Sequence, residues 1–383
     1  MLVATALVLL MTLPGLILFY GGMVRSRNVL SIFIQCYVVA ALMSVLWYFL
    51  GYSIAFGDAS PLWGGLGKVA LFDVGRGTMA DALPEVLFFA FQMTFAIITP
   101  VIILGAFAER VKFGFVLIFS GLWMLAVYAP VAHWVWGGGF LSDGGIFGEI
   151  GVKDFAGGIV VHQTAGIAGI LLAIFIGRRN DTQTGPGSPA MTLAGAALLW
   201  VGWYGFNGGS QLQADGNAAM AIVLTHLSAA AATLTWIAWE YMKTGKFTVT
   251  GMVTGSLAGL AAITPASGYV DPLYAMMIGV VAAIIAQETI GFLKGTLQVD
   301  DALDVFAVHG VAGVFGAMML APLGVASWAA QLGGMAIVGA YTGIVTVFIV
   351  FFCKGLVGLR VSEADEAAGL DVSIHKESAF HAN

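Results

Sequence analysis

Charge is what this sequence has least of. Only 9% of its 383 residues are Asp, Glu, Lys or Arg, against 60% hydrophobic, and it holds two cysteines. A soluble globular chain of this length would lack the polar residues needed to cover its surface. A water-soluble fold is therefore excluded, and a multi-span membrane protein is the natural reading. Cys36 and Cys353 lie inside apolar runs near opposite ends of the chain, which reads as packing and argues against a disulfide. The net charge of −6 is spread thinly and gives no sign of a nucleic-acid partner. No charged segment precedes the first apolar run, which begins at residue 2 and ends at FYGG. It reads as a retained span, and whether a cleaved leader once preceded it stays open.

Apolar runs long enough to cross ~30 Å of hydrocarbon are what the sequence does have. They fall at about 2–23, 29–56, 84–107, 112–131, 155–177, 189–208, 217–242, 248–268, 272–293, 304–322 and 330–356, eleven in all. The runs at 248–268 and 304–322 are the least typical, being rich in Gly and Ala and interrupted by polar residues. The basic residues test the count, because loops on the cytoplasmic side are enriched in Lys and Arg. Alternate connections plus the tail hold Arg25, Arg27, Arg110, Lys112, Arg178, Arg179, Lys243, Lys246, Lys294, Lys354, Arg360 and Lys376. The other connections hold Lys68, Arg76 and Lys153, a division of 12 against 3. The sequence predicts an all-α polytopic protein of the cytoplasmic membrane with eleven transmembrane helices, N-terminus outside and C-terminus inside. The membrane domain covers 1–356 and a cytoplasmic tail covers 357–383.

Two short words recur. DFAGGIVVHQTAG (154–166) and DVFAVHGVAG (304–313) share the frame VHxxAG, with His162 in the fifth run and His309 in the tenth. FYGG (19–22) closes the first run and FNGG (206–209) the sixth. These matches predict two five-span halves, about 1–178 and 189–322, followed by one extra helix at about 330–356. An odd number of spans per half inverts the second half relative to the first, the architecture of many transporters whose sites lie between the halves at mid-membrane. His162 lies eight residues past Asp154, roughly 12 Å at helical rise, and His309 five past Asp304, roughly 7.5 Å. The two rings thus approach the bilayer centre from opposite sides. A lone histidine in a span is most often a packing residue, but two in pseudo-symmetric positions point to a functional pair.

The motifs FYGGMVRSRN (19–28), GAFAER (105–110), AHWVWGGGF (132–140), DFAGGIVVH (154–162), GWYGFNGGS (202–210), ITPASGYV (263–270) and DVFAVHG (304–310) go further. Together with the tail sequence at 357–380 they resemble the ammonium transporter family (Amt/Mep/Rh), its Amt branch more than its Rh branch, over almost the whole chain. The resemblance implies an eleven-helix subunit with its own pore, assembled as a homotrimer in the lipid bilayer. It implies ammonium or ammonia as substrate, no enzymatic activity, and no cofactor or metal. At the tail it implies a PII-type signal protein, or in some relatives a fused signalling domain, as partner.

The physical problem such a pore solves is plain. A bare cation in a low-dielectric core costs several kcal/mol even after relaxation, whereas neutral ammonia crosses far more cheaply. Potassium matches ammonium in size but has no proton to lose, so deprotonation discriminates where size cannot. Aromatic faces can capture the cation, at ~0.5–2 kcal/mol each. By resemblance Trp136 and Phe91 supply them, Ser210 accepts a hydrogen bond, and Phe95 and Phe206 form a stacked gate. On composition alone these aromatics would read as interfacial or packing residues. His162 and His309 would follow below the gate, hydrogen-bonded to each other and titrating as a unit. Tyr20 and Trp203 fit family positions lining or backing the pore.

Asp154 suits two roles that stay open, capping the start of the fifth helix and shaping the outer site. Asp304 reads as a cap, and His226, which has no repeat partner, as an interface or packing residue. His133, His375 and His381 fall at or beyond the membrane edges. Transport is the leading reading. A second is an ammonium sensor that binds in the same pocket and signals through its C-terminus with little or no conduction. A third makes His162 and His309 the axial ligands of a haem, against which stands the close approach expected of Gly-rich helices.

Overall fold

In a computed structural model that describes residues 1–182 and 185–380, a helix occupies each of the eleven apolar runs. They are α1 Leu2–Met23, α2 Ser26–Phe56, α3 Glu85–Phe107, α4 Phe113–Trp136, α5 Gly158–Ile176, α6 Pro189–Gly209, α7 Gly216–Thr244, α8 Val249–Ile263, α9 Pro272–Thr296, α10 Phe306–Met318 and α11 Trp328–Val357. Two short helices, α12 Glu363–Ala368 and α13 Leu370–Ser373, follow in the tail. The connection between α2 and α3 carries an antiparallel pair of two-residue strands, β1 Met79–Ala80 and β2 Leu83–Pro84. Among the described residues, eight helices are long and apolar enough to cross a membrane: α1–α5, α7, α9 and α11. Cys36 and Cys353 are both free and buried.

The helix ends differ from the apolar runs for local reasons. α8 stops at Ile263 rather than 268: Thr264 keeps helical φ and ψ, but Pro265 has no N–H to continue the ladder and the chain goes on in turns. α10 stops at Met318 rather than 322 and the chain turns through Pro322 and Gly324. At 1.5 Å per residue the two helices reach about 22 and 20 Å, less than the hydrocarbon thickness. α4 instead runs past 131 to Trp136. Its Pro130 lies one intervening residue past a π-helical turn, Met124–Tyr128, where the widened ladder accommodates the missing N–H.

Similar π turns open the two histidine helices, Gly158–Gln163 in α5 and Phe306–Val311 in α10. The helices cross on glycine. A Cβ on Gly166 would meet Cα of Gly310 at 2.3 Å, and one on Gly313 would meet Cβ of His162 at 2.6 Å. Only glycine lets the two backbones come this close.

Charge gathers at the end of the bundle where the chain terminates. Buried Glu109 accepts hydrogen bonds from the Arg25 backbone N–H (2.7 Å) and Nε (3.0 Å), from Asn28 Nδ2 (2.9 Å) and from Arg179 Nη1 (2.8 Å). Arg179 also grips both oxygens of Asp300. Arg110 is buried and donates to the carbonyls of Gly177 and Asp300. The tail joins this network: Asp371 accepts from the N–H groups of Leu30 and Ser31 in α2, and Glu366 holds Arg360 and the Asn180 N–H. The arginines, Glu109, Asp300 and Glu366 are ion-paired and hydrogen-bonded, and Asp371 is held by backbone N–H groups, the conditions under which buried charge is tolerated.

Burial alone would raise the Glu109 carboxyl, but Arg179 and Arg25 outweigh it and hold it below the ordinary carboxylate range. At Asp300 burial is likewise outweighed by Arg179 and Arg110, which bring the carboxyl down to about 2. Depressed folded values mean that the stability from these groups is complete above the unfolded carboxylate range, near pH 4. It is lost as pH falls towards about 2. Glu109→Gln leaves two guanidinium groups short of a counter-charge. We expect about 3–5 kcal/mol of destabilisation, seen as a lower melting temperature of the detergent-solubilised protein at pH 7, with the gap to the unsubstituted protein narrowing in acid.

Candidate functional site

The two π turns set the central geometry, since each carries its histidine in the final turn. Nδ1 of His162 and Nδ1 of His309 are 3.1 Å apart, with the rings nearly parallel at 5.1 Å between centroids. One nitrogen donates and the other accepts, so the rings share one hydrogen. His162 is fully buried and its Nε2 has no hydrogen-bond partner among the described residues. The 3.1 Å spacing leaves no room for an iron porphyrin between the rings.

A column of rings runs from this pair towards the end of the bundle opposite the charge network. Phe206 lies 6.1 Å from His162, and Phe95 stacks on Phe206 at 4.2 Å with 23° between planes. Phe95 also makes T-shaped contacts with Trp136 and Phe91, at 6.0 and 5.0 Å between ring centroids. Beyond Phe95 a cavity of about 440 Å³ is lined by Trp136, Asp154, Ser210, Gln92 and others. Phe91 does not line it. That ring is fully buried behind Phe95, against Gly209.

Asp154 performs the cap. Its carboxylate accepts four backbone N–H groups, from Gly157 (2.9 Å), Gly158 (2.7 Å), Ile159 (2.8 Å) and Val160 (2.9 Å). Its carbonyl accepts the Trp136 indole N–H at 2.8 Å. One residue thus anchors both the π turn that carries His162 and the aromatic wall of the cavity. Ser210 Oγ donates to the Phe206 carbonyl at 2.9 Å, which leaves its lone pairs available as acceptors.

At the far side of the pair, a slot of about 10 Å³ is lined by His309, Trp203, Phe19, Leu16, Ile98, Ile102, Leu199 and Leu257. Trp203 touches the pair directly, stacked on His162 at 5.5 Å and tied by its indole N–H to Thr264. Tyr20 is bonded to the Ile102 carbonyl, and its neighbour Phe19 is the residue that lines the slot.

Sequence reasoning missed Gln92. It lines the cavity, is 8% exposed, and its Oε1 has no partner among the described residues. The available signal was an amide in the middle of an apolar span. Asp304 is not the cap of α10. Asp301 accepts the Phe306 N–H at 2.7 Å, while Asp304 pairs with Lys294. His133 is buried with both ring nitrogens facing carbonyl oxygens, of Ala55 and Ser60, and His375 lies against Phe113. His381 lies outside the described residues.

A family model for the Ammonium Transporter Family matches residues 1–380. The ammonium transporter of Bacillus subtilis is 42% identical over 393 residues, covering 98% of this chain and 96% of that protein. The ammonium transporter of Aquifex aeolicus is 40% identical over 399 residues, covering 100% of this chain and 92% of that protein. Among solved structures, one titled Sensor Amt Protein matches with a TM-score of 0.89 at 30% identity, covering 97% of this chain and 96% of its own. Saccharomyces cerevisiae Mep2 matches with a TM-score of 0.84 at 33% identity, covering 94% and 89%. The likeness extends over sequence and fold alike, and the chain belongs to the ammonium transporter family, whose members are transporters rather than enzymes.

Proposed function

We propose that this chain transports ammonium by separating the ion from its proton. The observation that carries the reading is the stacked pair Phe95/Phe206, set directly between the 440 Å³ cavity and the imidazole pair. Ammonium enters the cavity as a cation, held by the face of Trp136 and by the acceptors Ser210 and Gln92. Asp154 shapes that site through the Trp136 indole and contributes negative potential. The phenyl lid excludes water and hydrated ions. Ammonia passes it, meets His162 and His309, and leaves through the apolar slot beside Phe19. The proton that ammonium gives up at the lid is taken by the imidazole pair, which offers both a donor and an acceptor and passes it inward, so ammonia and proton cross by separate steps and transport moves net charge.

All eleven helices belong to this membrane domain, with the N-terminus outside and the C-terminus inside. Its halves are inverted repeats, a reading supported by the matching π turns of α5 and α10 and by the aspartate that caps each. The Tyr204–His226 pair, 2.7 Å apart, stands on an exposed face of α6 and α7. Polar groups facing lipid are costly, and we read this face as covered by another subunit of a homotrimer. The tail, pinned by Glu366 to the α5–α6 connection and by Asp371 to the start of α2, is the face open to a PII-type regulator.

One observation favours a second reading. The phenyl lid is closed, and a structure titled Sensor Amt Protein shares this fold. In that reading the cavity binds ammonium and the tail reports it with little conduction.

Uptake of radiolabelled methylammonium into proteoliposomes tests both. We expect uptake by the unsubstituted protein and at least about a tenfold loss in His162→Ala, the scale of removing a proton-transfer group. Uptake at the full rate in that variant would take the pair out of the pathway. Ammonium-dependent tryptophan fluorescence without uptake would favour the sensor. Gly313→Ala brings a methyl group within 2.6 Å of His162 Cβ, so one helix must shift. We expect uptake to fall about tenfold to a hundredfold, the effect of a misplacement near 1 Å, while the protein still elutes as a single folded species.

A further inference from the structure

The vestibule contains a charge that transport does not use. Lys153 is the single basic residue among the described residues lining the cavity that holds Trp136, Ser210 and Phe95. Its side chain ends in an alkylated relative of the substrate. Left free, that ammonium would oppose an incoming cation and compete with it for the same aromatic faces and acceptors, at the high local concentration of a tethered group.

Lys153 is not free. Nζ donates to both oxygens of Asp143, at 2.8 and 2.7 Å. Asp143 is itself oriented, because its Oδ1 also accepts the Gly151 N–H at 2.9 Å. The hydrogen bond from Lys153 draws the Asp143 carboxyl below the ordinary carboxylate range. The main chain of Lys153 is clamped by Gln331, which accepts its N–H at 2.9 Å and donates to its carbonyl at 2.7 Å. The next residue, Asp154, anchors Trp136. The backbone therefore cannot shift without disturbing the cavity wall, and the side chain is the part free to move.

We propose that Asp143 parks the Lys153 ammonium away from the capture site, and that this clamp sets the apparent affinity of the vestibule for ammonium. The inference rests on the reading of the cavity as the capture site. Asp143 is 59% exposed on its side chain, and pairs of that kind hold their partner by a factor of about two to five. The clamp is thus strong enough to bias the lysine and weak enough for its loss to be seen as a graded change.

The test is a double-variant cycle on KM and Vmax for methylammonium uptake in proteoliposomes. Asp143→Asn keeps an oxygen for the Gly151 N–H and removes only the charge. We expect it to raise KM about two- to fivefold with Vmax unchanged. Lys153→Met should leave KM at or below that of the unsubstituted protein. The double variant should return to the Lys153→Met value, because no competitor remains to be released. A double variant as weak as Asp143→Asn would overturn the proposal, since Asp143 would then act on the substrate directly. An unchanged KM in Asp143→Asn, or a raised KM in Lys153→Met, would also overturn it. Absence of uptake by the unsubstituted protein would instead defeat the transport reading. The same four proteins would then be compared by ammonium-dependent tryptophan fluorescence, with the same order of affinities expected and the same reversals decisive.

Discussion

Two imidazole nitrogens 3.1 Å apart in a dry helix bundle are the constraint on which the rest of this structure depends. Two positive rings side by side in that medium would repel strongly, so the pair holds one shared hydrogen and accommodates at most one additional proton. The approach needs backbones closer than ordinary side chains allow, which Gly166, Gly310 and Gly313 permit. It needs the rings turned towards each other, which a widened turn at the start of each helix provides. It also needs those turns held. Asp154 satisfies four N–H groups at one of them, Asp301 bonds the first at the other, and Trp203 stacks on His162.

The same constraint orders the path along the bundle. Charge is accommodated at both ends and rejected between them. The charged end gathers Arg25, Glu109, Arg179 and Asp300 into paired, hydrogen-bonded ions that also fasten the tail. The opposite end opens a cavity with aromatic faces and acceptors. Between them lie the stacked phenyl rings, the imidazoles and a slot lined almost wholly by apolar residues. A cation at fixed charge gains nothing by entering such a segment, and a species able to leave a proton behind avoids the desolvation cost.

The coarse fold was legible because the bilayer imposes length and hydropathy on each span. The ends of α8 and α10 were less so: the Gly- and Ala-rich run of α8 looks apolar beyond Pro265, and that of α10 stays apolar after the helix has given way to turns at Met319. The twin histidines announced themselves by their repeated frame. Their π turns did not, because the residues of GIVVHQ and FAVHGV carry no pattern that distinguishes a π turn from an α turn. Of the two roles left open for Asp154, the cap is the one its side chain performs, while its carbonyl meets the Trp136 indole on the cavity wall. Phe91 was expected on the cavity wall and lies behind it, a matter of ring direction that spacing along a helix cannot decide. Gln92 was overlooked among its aromatic neighbours, and Lys153 was counted only as a loop charge. Asp301, three residues before Asp304, took the cap because Asp304 faces Lys294.

The most direct test of this account is the current from reconstituted protein on a solid-supported membrane after an ammonium pulse, beside a potassium pulse and the His162→Ala variant. The account predicts a pH-dependent current with ammonium, none with potassium, and none in the variant. A potassium current of comparable size, an undiminished current in the variant, or no current from ammonium at all would contradict it.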